Sequence, residues 1–166
     1  MSPSGVLVVE DDPDDLDVVL AALRGQGLAE EVRVARDGEE AIRRLFEPPP
    51  PRMVLLDLNL PKVSGHEVLR VARSDPRTKR VPIVVLSTSW ADADVEQAYD
   101  LYVSSYILKP TDYTLYDQMI EEVMSFLEEG AFELEGEASG RREMGAAEPR
   151  AAPAPARKPG RRRDPG

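Results

Sequence analysis

The chain has no cysteine among its 166 residues, which removes disulfide bonds, thiolate-ligated zinc and thiol catalysis together. It has a single histidine, His66, and no glycine-rich ATP-binding pattern; both absences argue against a histidine kinase. A lone histidine on a helix near Gly65 reads as surface or packing. No apolar run approaches the ~18 residues of a membrane helix, and the opening "MSPSG" lacks the charged and apolar regions of a secretory signal. The expectation is a soluble protein of the reducing cytoplasm. Positive charge is scarce over most of the chain: the net charge is −10, yet residues 141–166 carry eight Lys/Arg against three Asp/Glu. The first 140 residues are therefore strongly acidic, which disfavours nucleic acid as a ligand.

Five short apolar runs recur, at "VLVV" (6–9), "VRVA" (32–35), "MVLL" (53–56), "VPIVVL" (81–86) and "YIL" (106–108). Three are nearly continuous rather than alternating, as expected for strands covered on both faces. Between them apolar residues take helical spacing: Leu16, Val19, Leu20 and Leu23, then Ala41, Ile42 and Leu45, then Val68, Leu69 and Ala72. Strands alternating with helices predict right-handed βαβ units and an α/β fold with a parallel sheet between two helix layers. Pro13 suits the first turn of a helix capped by Asp12, and Gly25 and Gly27 can end it. The run "PPPP" (48–51) reads as a stiff extended spacer.

Open parallel sheets bind ligands beyond the carboxyl ends of their strands. The residues at those ends are Glu10-Asp11-Asp12, Asp57, Ser87-Thr88 and Lys109-Pro110. Two carboxylates ~4 Å apart repel by roughly 4 kcal/mol at an effective dielectric near 20, so an acidic cluster at a buried strand end expects a cation. A calcium loop does not fit, because counting from Asp11 finds no glycine at its sixth position and no glutamate at its twelfth. Asp12, Asp14 and Asp15 are read as a solvated helix start.

"VVEDD", "LLDLNLP", "SG" (64–65), "VLST" and "YILKP", in that order over about residues 5–130, resemble the receiver domain of two-component response regulators. The resemblance implies a flavodoxin-like, doubly wound five-stranded sheet of order 2-1-3-4-5. It implies that Asp57 accepts a phosphoryl group from a histidine kinase, and that Glu10, Asp11, Asp57 and the backbone carbonyl of Asn59 hold Mg²⁺ or Mn²⁺. Ser87 and Lys109 correspond to the phosphate partners. Tyr106 corresponds to the aromatic switch that turns inward as Ser87 moves, altering a surface of the fourth helix, fifth strand and fifth helix; the Lys109-Pro110 bond is expected cis. "AYDLYVSSY" (98–106) resembles single-domain regulators paired with phytochrome kinases. Thr88, bulkier than the family's usual alanine, is expected to shield the phosphate and slow its loss. Trp90 is expected to cover the mouth of the site or pack locally.

Other readings stand beside this one. A metal-dependent phosphatase of similar topology would carry a second acid two residues after the nucleophile, where Asn59 stands. A phosphorylation-independent adaptor would need the fold but not the acids. In the last helix the apolar positions span about 180° of arc, more than a sheet face requires. The surplus, Tyr116, Ile120, Met124 and Leu127, is expected to contact a twin subunit. Residues 134–166 read as a disordered Ala/Pro/Arg-rich tail with no DNA-binding output domain, and "RKPGRRR" (157–163) as a solubilising segment.

Overall fold

The computed structural model describes residues 5–89 and 91–129, and the expectations for Trp90 and the 134–166 tail lie outside them. Five strands, β1 (Val6–Val9), β2 (Val32–Ala35), β3 (Met53–Leu56), β4 (Ile83–Ser87) and β5 (Ser105–Leu108), form one parallel sheet of order β2-β1-β3-β4-β5. The helices are α1 (Pro13–Gly25), α2 (Gly38–Leu45), α3 (Gly65–Ser74), α4 (Asp92–Asp100) and α5 (Tyr116–Glu128). Register runs Val6 beside both Val32 and Met53, Val54 beside Ile83 and Val84 beside Ser105. Because side chains alternate along each strand, Val6, Val8, Met53, Leu55, Val84 and Ile107 face α1 and α5. Leu7, Val9, Val54, Leu56, Ile83 and Val85 face α2, α3 and α4. Both faces are buried, which is why the runs read as continuous.

Local chemistry sets the helix ends. Asp12 accepts from the backbone N–H groups of Asp14 and Asp15 with Pro13 behind it, and Gly27 leaves α1 at φ 79°. The proline run does not extend as a spacer. It bends, and the Arg33 guanidinium holds the bend by donating to the carbonyls of Arg44, Glu47 and Pro49.

The surplus stripe on α5 is also corrected. Tyr116, Ile120 and Met124 are 1, 0 and 4 % exposed, and half-buried Leu127 packs on the same cluster. The helix serves two neighbours, the sheet and α1, so these four residues are taken up within one chain and are not a surplus. Among the described residues no helix is long and apolar enough to cross a membrane.

Candidate functional site

Parallel register brings the carboxyl ends of β1, β3, β4 and β5 to one rim. Backbone bonds continue just past the strands, from Glu10 N–H to the Ala35 carbonyl, Asp57 N–H to Val9 and Lys109 N–H to Ser87, aligning the residues that follow. Five polar or charged residues are buried among those described, and four of them, Glu10, Asp57, Ser87 and Lys109, stand on this rim. Burial of a charge is costly unless it is paired, so a concentration of such groups at one edge marks chemistry rather than packing.

The pairing is centred on Lys109. Its Nζ donates to Glu10 Oε2 at 2.7 Å, to Asp15 Oδ2 at 2.9 Å and to Asp57 Oδ2 at 3.2 Å. The other Glu10 oxygen accepts from Asp12 N–H at 3.1 Å, and the other Asp57 oxygen from Asn59 N–H at 3.0 Å, which draws the Asn59 backbone against the carboxylate. Carboxylate oxygens of Glu10, Asp11 and Asp57 lie within 4.8 Å of one another, with Asp11 exposed toward solvent. Burial is the largest influence on Glu10 and, with the neighbouring Asp57 charge, outweighs the Lys109 bond and lifts its carboxyl to about 7. Burial also works against the charge on Lys109, but the bonds to Glu10 and Asp15 and the Asp57 charge outweigh it and hold the ammonium protonated. These shifts are compatible because several acids share one cation. The ammonium is well satisfied and the surplus negative charge is not.

That surplus, on hard oxygen donors, suits a divalent cation such as Mg²⁺. The loop after β3 is shaped for the same purpose. Ser64 caps α3 by accepting from Glu67 N–H, and Gly65 donates to the Leu58 carbonyl at 2.9 Å. A Cβ on Gly65 would meet the Asp57 carbonyl and Leu58 Cα at 2.5 Å, so glycine is what lets α3 approach the loop that carries Asp57. This gives the Ser64-Gly65 pair its physical reason.

On the opposite wall Ser87 is fully buried and its Oγ accepts from Ser89 N–H at 3.1 Å, while Thr88 is exposed beside it. The Tyr106 ring lies inward, 7 % exposed within the cluster facing α2–α4, and its hydroxyl donates to the Ser89 carbonyl at 2.9 Å. The Lys109–Pro110 bond is a further correction: the cis bond in the described chain is Pro48–Pro49. An X–Pro bond ordinarily favours trans by about 0.5–1 kcal/mol, and Lys109 reaches all three acids without the cis form. His66 packs as expected, its Nε2 3.2 Å from the Asp94 carbonyl of α4.

Asp15 is the site residue that reading the sequence missed. It is not a solvated cap residue but a half-buried partner of Lys109, and its second oxygen accepts from the Tyr113 hydroxyl at 3.2 Å. The usable signal was position: Asp15 lies in the first turn of the helix that Asp12 caps, next to the strand end that carries Glu10 and Asp11.

Comparison with known proteins agrees with this geometry. Residues 6–121 match the model of the response regulator receiver domain. The chain is 38% identical over 129 residues to the probable methanogenesis regulatory protein FilR2 of Methanothrix harundinacea, covering 75% of this chain and 83% of that one. It is 36% identical over 130 residues to response regulator Rcp1 of Synechocystis, covering 75% and 88%. The Mn²⁺-bound form of Rcp1 superposes with a TM-score of 0.69 at 36% identity, covering 75% and 94%. The phosphorylated cyanobacterial phytochrome response regulator RcpA superposes with a TM-score of 0.71 at 37% identity, covering 76% and 95%. With its five parallel strands, its buried acids and a matched segment spanning more than half its length, the chain belongs to the response regulator receiver domain family.

Proposed function

We propose that this chain is a signalling receiver occupying residues 5–130, which takes a phosphoryl group onto Asp57 from a histidine of a phytochrome-type kinase. The observation that carries the reading is the Asp57 carboxylate, buried at a strand end, 3.2 Å from the Lys109 ammonium and grouped with Glu10 and Asp11. In the transfer an Asp57 oxygen bonds to phosphorus as the bond to the donor nitrogen breaks, and the departing imidazole keeps the electron pair. Glu10, Asp11 and Asp57, with the Asn59 carbonyl, would hold Mg²⁺ or Mn²⁺, which supplies positive charge to the phosphoryl oxygens. Lys109 supplies a second positive group and Ser87 a hydrogen bond to the new oxygens. The phytochrome link is supported by the likeness to RcpA and Rcp1.

The product carries about one more negative charge than the carboxylate it replaces, and this charge favours the arrangement in which Ser87 faces the site. Phosphorylation thereby favours the arrangement in which Ser87 faces the phosphoryl group and Tyr106 lies inward, and acts by population shift on a surface of α4, β5 and α5. Exposed Tyr99, Tyr102 and Leu115 lie on those elements and their flanks.

Incubation with acetyl phosphate and Mg²⁺, followed by intact mass, tests the reading. An addition of about 80 Da is expected for the native chain and none for Asp57→Asn; mass gained by the variant, or none by the native chain, overturns it. The exposed Thr88 beside Ser87 screens the acyl phosphate from water, so Thr88→Ala should lose the added mass severalfold faster. An unchanged decay would remove Thr88 from any tuning role.

A further inference from the structure

Asp15 takes part in neither the three-carboxylate cluster nor the phosphoryl acceptor, yet it makes one of the two shortest bonds to Lys109. Its side chain is 18% exposed and that of Lys109 6%, so water competes little for the pair. Its other oxygen is held from the opposite side by Tyr113, whose ring packs edge-to-face on Tyr116 at 5.8 Å between centroids. Tyr116 is anchored in the core, and the Asp12 cap fixes the helical turn from which Asp15 projects. The carboxylate is thus clamped between a core-braced hydroxyl and the ammonium.

Resting on the receiver reading, we infer that Asp15 is a positioning residue that parks the Lys109 ammonium between phosphoryl transfers and competes with the phosphoryl oxygens for it. Glu10 and Asp57 are committed elsewhere when the site is loaded: one belongs to the cation cluster and the other carries the phosphoryl group. Asp15 is then the acceptor that remains to Lys109, and the ammonium divides between it and the new oxygens. A competing charge-assisted bond of this kind weakens binding of the phosphoryl group while keeping the lysine from wandering. Tyr113 sets the strength of that competition by holding Asp15 in place. Tyr113 is itself half exposed, at the turn leading into α5, so a partner that engages it would alter the hold on Lys109.

The test uses the full chain and three variants, Asp15→Asn, Tyr113→Phe and the double variant, with beryllofluoride as the phosphoryl mimic at saturating Mg²⁺. Asp15→Asn should tighten beryllofluoride about tenfold and Tyr113→Phe about twofold, and the double variant should match Asp15→Asn because both act through one contact. Without metal, ¹⁵N spectra of the lysine ammonium should show its proton exchange accelerated about tenfold in Asp15→Asn, a readout that a merely structural role would not move. Beryllofluoride affinity that is unchanged or weakened by Asp15→Asn, or a Tyr113→Phe effect that persists in the Asp15→Asn background, overturns the inference. Failure of the native chain to bind beryllofluoride with Mg²⁺ would instead overturn the receiver reading beneath it.

Discussion

Replacing Lys109 with methionine should slow phosphoryl uptake from acetyl phosphate by about 10²–10³-fold, the usual cost of removing one preorganised charge donor from a transition state. The ammonium donates to three carboxylates within 3.2 Å and is itself buried, so water screens it little. Methionine keeps the length and apolar stem of lysine, leaving packing nearly intact and isolating the loss of charge. Above pH 7 and without metal, the same change leaves Glu10 and Asp57 buried with no counter-ion, and breaking such a pair typically costs about 3–5 kcal/mol. Urea denaturation in a chelator should show that loss. Saturating Mg²⁺ should recover a larger share of stability in the variant than in the native chain, because it returns positive charge to the same acids. Lys109→Arg should not rescue uptake, since a planar fork cannot place one compact charge between Glu10, Asp15 and Asp57. Uptake by Lys109→Met within about threefold of native would contradict the role of the ammonium, given that one lost donor ordinarily costs far more.

The contrast between Lys109 and Asp15 shows what was legible in the sequence. Lys109 follows an apolar run and precedes a proline, so its place at a strand end is a one-dimensional fact; Glu10, Asp57 and Ser87 were found in the same way. The sheet itself was legible because burial on both faces leaves continuous apolar runs, and its helices because their buried residues keep period. Asp15 depends instead on helical phase and on Tyr113 and Lys109, each more than ninety residues away in sequence. The α5 stripe failed for a related reason. A count of apolar arc says how much surface is buried but not by how many neighbours, and α1 took the share assigned to a twin subunit. The bend in the proline run was likewise decided by a distant partner, Arg33.

In the absence of metal, stability should fall as pH rises from about 4.5 to about 7, the reverse of what an acidic protein with many capped carboxylates would otherwise show. Glu10 is the cause: burial raises its carboxyl from 4.5 to about 7, so over that interval the folded chain binds a proton that the unfolded chain has released. Stability therefore declines with pH across the window, with a slope of no more than about 1.4 kcal/mol per pH unit for one proton. Lys109 does not contribute there, because its shift is upward and its stabilisation is fully present below its ordinary value of 10.5. Three surface acids act on the other side. The Glu40 backbone N–H lowers Asp37, the Arg77 guanidinium lowers Asp75 to about 2, and the Thr114 backbone N–H lowers Asp112. Their stabilisation is present above the ordinary aspartate value of 3.8 and is lost as pH falls below it. The metal-free optimum should accordingly lie near pH 4 to 5, between the two sets of groups. Saturating Mg²⁺ should reverse the slope, since cation and proton compete for the Glu10 carboxylate and the cation gains as the proton leaves. Urea titrations at intervals from pH 4 to 8, with chelator and with Mg²⁺, measure both slopes, and Glu10→Gln should flatten each. Metal-free stability that rises steadily through neutrality would show that burial does not raise the Glu10 carboxyl, and the predicted slope would be wrong.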